Sequence, residues 1–150
     1  MKNQDILTKT KIINRIMING QKSTSEKILF KSFKKLQKNT KKQVKKIFKL
    51  CLINSMPIFK LQISENKKIR KKKRKPIVKP VFLLNPKTRI SLSIKFILDC
   101  LKKKSNVNYD LKLSKEILLS AENKGNSKNT VKEINKQVIQ NKKYFNKYRW

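Results

Sequence analysis

The sequence predicts a mainly α fold, in which a single domain spanning residues 1–150 has six helices and a protruding β-hairpin arm at about residues 57–84. Two observations predict it. Apolar residues recur every three or four positions in six segments, which is the spacing of one helix face. Between the third and fourth of these segments the pattern changes to short β-tolerant runs bounded by prolines, which is typical of strands.

The first helix is predicted at residues 7–18. Its apolar face is formed by Ile12, Ile13, Ile16 and Met17. Asn19 and Gly20 follow this face, and glycine ends helices because it readily adopts a positive φ. The chain is therefore expected to turn at these two residues before the second helix.

The second and third helices are each predicted from a capping box. In this device a Ser or Thr side chain, and a Glu or Gln side chain three positions later, satisfy free backbone amides at the helix start. Ser23 and Glu26 have this spacing, and so do Thr40 and Gln43. The third helix is expected to end at Asn54, because the proline three positions further on cannot continue it.

The arm is predicted from residues 57–63 and 77–82, whose alternating and β-branched residues favour two paired strands. Pro76 and Pro80 cannot donate to a ladder of backbone hydrogen bonds, so the second strand is expected to be an edge. From position 66 to position 79, nine of fourteen residues are basic and none is acidic. Such a segment is either a solvated linker or an arm that follows phosphates, and we favour the arm.

Three further helices complete the chain. The fourth begins at Asn85 and Pro86, a capping residue followed by proline at the first helical position. The fifth ends at Ala121, before Gly125, and the sixth is predicted from a third capping box at Thr130, with a glutamate three positions later. In the sixth helix, positions that fall at steps of three or four place the apolar residues on one face; they are Ile134, Val138, Asn141, Phe145 and Tyr148.

The charge and the residue types limit the chemistry. Lys and Arg number 41 against 8 Asp and Glu, a formal net charge of +33, so a polyanion is the expected partner. Histidine is absent, which excludes histidine catalysis and histidine metal ligands. The acids form no pair suited to a catalytic metal, and Cys51 and Cys100, 49 positions apart, are expected to be buried. We therefore expect no enzyme, no metal site and no cofactor.

Candidate RNA contacts that follow from charge lie on the arm and on the polar faces of the first and last helices. They are Lys9, Lys11, Arg15, Lys67, Lys68, Arg70, Lys71, Lys72, Lys73, Arg74, Lys75, Lys79, Lys142, Lys143 and Lys147. Any one helical lysine taken alone is an ordinary solvated residue, but together they face few opposing acids. Trp150, beside lysines at the C-terminus, is a candidate for stacking on an unpaired base.

Four short motifs stand out in order along the chain. They are residues 12–23 (IINRIMINGQKS) followed by Glu26, residues 89–95 (RISLSIK), residues 121–126 (AENKGN) and residues 148–150 (YRW). Together they resemble the family of ribosomal protein seven of the small subunit, in its bacterial type. The resemblance covers nearly the whole chain and implies the same helical layout with a hairpin arm. The candidate contacts that lie in its motifs are Asn14, Arg15, Lys22, Arg89, Lys95, Arg149 and Trp150.

The resemblance also implies a function. It implies a structural protein that binds the 3′ major domain of small-subunit rRNA, nucleates assembly of the subunit head, and lies near the mRNA exit path and the exit-site tRNA. Neighbouring head proteins are the other expected partners. Lysine, asparagine and isoleucine make up 69 of 150 residues, a bias expected of an A+T-rich genome. We therefore expect an organelle-encoded protein of the mitochondrion, with the plastid as the alternative.

Two other functions fit the charge. A DNA-compacting architectural protein of an organelle uses positive charge in the same way, and a cationic membrane-active protein binds anionic lipid through an amphipathic helix. Helices with predicted caps and core spacing favour a folded domain over the membrane-active protein. No apolar run approaches the roughly 18 residues that a transmembrane helix needs. The first ten residues resemble no secretory or import signal, so no targeting segment is expected.

Overall fold

The structure of the protein, a computed structural model, describes residues 2–40, 43–64, 77–102, 108–141 and 143. Within these ranges the chain forms six helices and one antiparallel pair of strands, which confirms the mainly α fold class with its hairpin. The elements are α1 (Lys2–Ile16), α2 (Lys22–Asn39), α3 (Val44–Asn54), β1 (Phe59–Ser64), β2 (Ile77–Phe82), α4 (Pro86–Lys102), α5 (Tyr109–Ala121) and α6 (Asn126–Gln140).

The turn between α1 and α2 forms where the sequence predicts it. Asn19 has a φ of 51° and Gly20 a φ of 74°, so both adopt the left-handed conformation that reverses the chain after a helix. α1 begins earlier than the predicted residue 7 and ends at Ile16, two residues before the predicted end. The apolar spacing located the helix face correctly but not its first residue.

The capping boxes predicted for α2 and α3 are wrong. α2 begins at Lys22 with Gln21 as its N-cap, so Ser23 already lies inside the helix. Thr40 ends α2 instead of starting α3, and its hydroxyl donates to the carbonyl oxygen of Leu36 at 2.7 Å. A hydroxyl can bond the carbonyl of the turn before it as well as the amide of the turn after it, so the spacing alone does not decide between them.

The capping box predicted for α6 is also wrong, whereas the cap predicted for α4 is confirmed. α6 begins directly after Gly125, one turn earlier than predicted, and the hydroxyl of Thr130 donates back to the carbonyl oxygen of Ser127 at 2.7 Å. At the start of α4, the side-chain oxygen of Asn85 accepts the backbone N–H of Lys87 at 2.9 Å.

A hydrophobic cluster holds the helices together, and α5 lies at its centre because it contacts α2, α3, α4 and α6. The buried members of the cluster are Ile12, Ile13, Ile16, Leu29, Leu36, Ile47, Cys51, Leu52, Ile94, Ile97, Leu98, Leu101, Leu113 and Ile117. Cys51 and Cys100 are both buried, as predicted. Burial raises the pKa of the Cys51 thiol to about 12, so this cysteine packs as an unreactive apolar side chain.

A buried polar cluster, formed by Ser55, Glu116, Ser120 and Ser127, joins the ends of α3, α5 and α6. The carboxylate of Glu116 accepts the backbone N–H of Ser127 at 3.0 Å and the hydroxyl of Ser120 at 3.1 Å. The hydroxyl of Ser127 lies 2.6 Å from that of Ser120 and 3.0 Å from that of Ser55. The Glu116 carboxylate thus satisfies a free amide in the first turn of α6, and this hydrogen bond helps to fix the residue at which α6 begins.

β1 and β2 form the base of the arm, with Phe59 opposite Phe82 in an antiparallel register. The rings of these two residues meet edge to face, and their centroids lie 5.6 Å apart. β1 contacts α6, which anchors the arm to the helices. The second strand has its predicted bounds and, in this two-stranded sheet, is an edge as expected; the first strand begins two residues later than predicted. Residues 65–76, which separate the two strands in the sequence, lie outside the described residues.

An ion pair ties α5 to α2, because Lys35 Nζ lies 2.7 Å from Asp110 Oδ2. Asp110 is in the first turn of α5. The hydrogen bond from Lys35 lowers the pKa of the Asp110 carboxyl. A lowered pKa adds stability above the unfolded-state pKa, and this stability is lost as the pH falls through the folded-state pKa.

We therefore expect Asp110→Asn to lower the melting temperature at pH 7 by about 1–4 °C, since a partly exposed ion pair contributes about 0.2–1 kcal/mol. The loss should be smaller at pH 3, where the unfolded chain binds the proton. Thermal unfolding followed by circular dichroism measures both values, with Glu122→Gln at an exposed acid as the control. An equal loss at both pH values contradicts the ion pair as the cause.

Candidate nucleic-acid interface

The α1–α4 basic surface consists of Lys11 and Arg15 on α1 together with Lys87 and Lys95 on α4. The two helices pack against each other. Lys11 Nζ lies 3.5 Å from the carbonyl oxygen of Lys87, and Arg15 Nη2 lies 3.5 Å from the hydroxyl of Ser91. Because residues four apart share one side of a helix, these contacts align successive turns of α1 and α4. The four cations therefore form one row across two helices.

Three members of the row, Arg15, Lys87 and Lys95, are exposed and Lys11 is half-buried, because the core takes the opposite side of α1. Ile12, Ile13 and Ile16 are buried, so the polar residues between them must face solvent. The contacts of Lys11 and Arg15 are at the long limit of a hydrogen bond and use one donor of each side chain. An ammonium has three donors and a guanidinium five, so both groups retain donors for a ligand. Phosphate oxygens are the acceptors that such a row attracts most strongly.

The structure describes the exposure of nine of the predicted contact residues. Lys9, Asn14, Arg15, Lys22, Lys95 and Lys143 are exposed, and Lys11, Lys79 and Arg89 are half-buried. The structure brings three of the predicted contacts, Lys11, Arg15 and Lys95, onto the α1–α4 basic surface. Lys79 lies on β2 and Lys143 lies beyond the end of α6, so neither belongs to this surface.

The remaining predicted contacts lie outside the described residues. They are Lys67, Lys68, Arg70, Lys71, Lys72, Lys73, Arg74, Lys75, Lys142, Lys147, Arg149 and Trp150. The predicted apolar positions Phe145 and Tyr148 lie there too. All of these assignments stay predictions.

Arg89 connects α4 to the base of the arm. Its Nε donates to the carbonyl oxygen of Pro57 at 3.2 Å, two residues before β1 begins. A half-buried guanidinium with a backbone partner helps to orient the arm relative to α4. The contact of Arg89 with RNA remains a prediction, and any such contact uses the donors that Pro57 does not take.

Two residues near these cations were not predicted from the sequence, one on the α1–α4 basic surface and one on the other side of α1. Lys87 completes the row, and the spacing of positions 87, 91 and 95, four apart on one helix, was the signal that could have found it. Phe30 on α2 is the other: its ring is half exposed, and Lys9 Nζ lies 4.6 Å from the ring centroid. The lysines at positions 27 and 34, one turn to either side of Phe30, were the signal there.

A metal site and a membrane-spanning helix are two other features that bear on function in the described part of the chain. Among those residues, no group of three or more acids, cysteines or histidines is placed to hold a metal ion. None of the helices described above has a stretch that is both long and apolar enough to cross a membrane. The α1–α4 basic surface is the candidate functional site.

Comparison with known proteins identifies the family. The sequence pattern of the family described as "Ribosomal protein S7p/S5e" matches residues 2–142. The chain is similar to the small ribosomal subunit protein uS7 of Wigglesworthia glossinidia brevipalpis, with 32% identity over 99% of this chain and 88% of the relative. It is also similar to the proteins of the same name from Exiguobacterium sibiricum, with 27% identity over 94% of this chain and 85% of the relative, and from Neisseria gonorrhoeae, with 27% identity over 90% and 82%.

The family match and the structure agree. The match spans all six helices and the strand pair, and the relatives are aligned over most of their own length. The resemblance found in the four sequence motifs is thereby confirmed. The chain belongs to the Ribosomal protein S7p/S5e family, in its bacterial type, and is thus a structural, non-enzymatic protein of the small ribosomal subunit.

Proposed function

We propose that the chain binds the 3′ major domain of small-subunit rRNA through the α1–α4 basic surface and the arm. The observation that carries the proposal is the row of four cations on two adjacent helices, in a chain of this family. Contacts to phosphates supply affinity and fix register without reading sequence. A row of cations therefore suits the backbone of a folded RNA, and the arm, whose second strand ends four residues before α4 begins, adds a second basic element at the end of α4 that carries Lys87.

We further propose that the chain nucleates assembly of the subunit head, and that it lies near the mRNA exit path and the exit-site tRNA beside neighbouring head proteins. Family membership supports this placement. The lysine-rich segment at residues 66–79 supports a contact between the arm and nucleic acid, because nine of its fourteen residues are basic and none is acidic.

The compartment in which the protein acts is proposed from its family and its composition. Family membership places the chain in a compartment that contains ribosomes. Lysine outnumbers arginine 36 to 5, and this skew supports an A+T-rich genome. We propose that the gene is encoded in a mitochondrion and that the protein acts in the matrix ribosome, with a plastid as the alternative.

A competition experiment tests the proposal. The full chain is bound to a labelled transcript of the 3′ major domain of the source organism's small-subunit rRNA, and unlabelled competitors are added at physiological salt. We expect duplex DNA of random sequence to compete roughly a thousandfold less well than the unlabelled transcript, since specific and non-specific affinities usually differ by at least this ratio.

Equal competition by duplex DNA contradicts the proposal and favours the DNA-compacting alternative, which the net charge alone supports equally well. Sedimentation of an extract of the source organism gives an independent check. The chain should sediment with the small subunit, and free sedimentation away from ribosomal particles also contradicts the proposal.

A further inference from the structure

A phenylalanine on α2 is exposed among lysines. Phe30 is 50% exposed, whereas Leu29 and Leu36 on the same helix are buried. Lys27 and Lys34 are exposed one turn before and one turn after Phe30. Because residues three and four apart are neighbours on a helix surface, the ring lies between two cations.

The ring also contacts a cation from the adjacent helix. Lys9 Nζ of α1 lies 4.6 Å from the centroid of the Phe30 ring, within the range of a cation–π interaction. The same helix, α1, carries Lys11 and Arg15 toward α4. The Phe30 ring and the α1–α4 basic surface therefore lie on the two sides of one helix.

We propose that Phe30 is a stacking platform for an unpaired base of the rRNA, and that Lys9 and the lysines beside Phe30 bind the phosphates of the same strand. The inference rests on the proposed function, because it takes RNA as the partner, and it specifies that this site takes a single-stranded nucleotide. Paired bases offer no free face to a ring, whereas bases in loops and bulges stack on aromatic side chains.

The relative strengths of the two contacts favour the nucleotide. An exposed ammonium on an aromatic ring changes an equilibrium constant by about 2- to 5-fold. A base stacked on an aromatic side chain changes it by about 5- to 150-fold. A base that takes the place of the Lys9 ammonium on the ring is therefore favoured, and the displaced ammonium gains the adjacent phosphate as its partner.

The charges around the ring favour RNA over a protein partner. Among the residues whose side chains the structure describes, the cations that adjoin Phe30 on α2 and on α1 outnumber the acid Glu26, which lies one turn earlier on α2 and is half-buried. An apolar protein surface placed on the ring would desolvate these cations without neutralising them, at a cost in free energy. A phosphate backbone neutralises them and releases its own counterions.

The test measures the affinity of the full chain for the 3′ major domain transcript. We expect Phe30→Ala to weaken binding by about 5- to 150-fold. Phe30→Leu should weaken it nearly as much, because leucine keeps the apolar area but has no π face. Phe30→Trp should bind at least as tightly as the wild type. The salt dependence of all three variants should match that of the wild type, since no phosphate contact is removed.

Leu50→Ala is the matched control, because Leu50 is also 50% exposed on a helix and lies outside this site. It should leave the affinity unchanged. Circular dichroism checks that each variant keeps the helix content of the wild type, and Phe30→Trp, which retains a large ring, tests the site even if the smaller side chains disturb α2.

Three outcomes overturn the inference. If the wild type binds the transcript and Phe30→Ala or Phe30→Leu binds equally well, the ring does not stack on a base, and the proposed function stands. If Phe30→Ala weakens incorporation only when other subunit proteins are present, the ring is a protein contact. If the wild type does not prefer the transcript over duplex DNA, the proposed function fails, and this inference fails with it.

Discussion

Gly125→Ala is expected to destabilise the fold by about 3 kcal/mol, because the added methyl group has no space. A Cβ at Gly125 would overlap the hydroxyl of Ser120 and would lie 2.8 Å from the Cα and the backbone nitrogen of Ser120. The hydroxyl can rotate away, but the two backbone atoms belong to α5, the central helix, and cannot. The alanine must therefore push α6 away from α5, which also separates Ser127 from Glu116 in the buried polar cluster.

The other glycine of the chain provides the matched control. Gly20 has a positive φ of 74° and no atom within 4 Å of the added Cβ position. Asparagine tolerates this conformation, so Gly20→Asn should lower the melting temperature little, whereas Gly125→Asn should be as damaging as Gly125→Ala. Thermal unfolding is the measurement, and the expected fall for either Gly125 variant is roughly 6–12 °C. A melting temperature of Gly125→Ala equal to that of the wild type would disprove the close approach of α5 and α6.

Replacing Lys71, Lys72, Lys73 and Arg74 together with alanine is expected to reduce both the affinity for rRNA and its dependence on salt. Each phosphate contact contributes about 0.7 to 0.9 to the slope of log affinity against log salt, so four lost contacts lower the slope by about three. Between 50 and 200 mM salt, the wild type should therefore lose about 60-fold more affinity than the variant. Binding to the 3′ major domain transcript over this range is the measurement.

The control removes the same charge elsewhere. Lys115, Lys124, Lys132 and Lys136 are exposed lysines on α5, on α6 and in the turn between them, and none belongs to the predicted contact set. Replacing these four with alanine lowers the net charge equally but should leave the slope near that of the wild type. If the arm variant keeps the wild-type slope, the arm is not part of the contact surface.

The helices were predictable because their signal is local. The residues that predict the apolar face of α1 and the Asn85 cap of α4 lie within one or two helical turns of each other in the sequence, and the structure confirms both features. The starts of α2, α3 and α6 were predicted wrongly for a related reason. Hydroxyl side chains such as those of Thr40 and Thr130 can bond either the carbonyl of the turn before or the amide of the turn after. Which of the two they bond depends on how the neighbouring helices pack.

The candidate site was less predictable than the fold. Charge and motifs identified Lys11, Arg15 and Lys95 as candidates, but Lys11 and Lys87 are 76 positions apart, and only the packing of α1 on α4 brings them together. No contact with RNA was predicted for Phe30, because an aromatic residue in an amphipathic helix is usually in the core. Its exposure depends on which side of α2 faces α1 and α5.

By itself, the sequence determined that the chain is helical, strongly basic and built on the plan of its family, because composition, apolar spacing and motifs are properties of neighbouring residues. Only the tertiary structure decided which cations share a surface, why α6 starts directly after Gly125, and that Phe30 faces solvent beneath Lys9. The physical reason is that each of these depends on contacts between helices, and such contacts join residues that are distant in the chain.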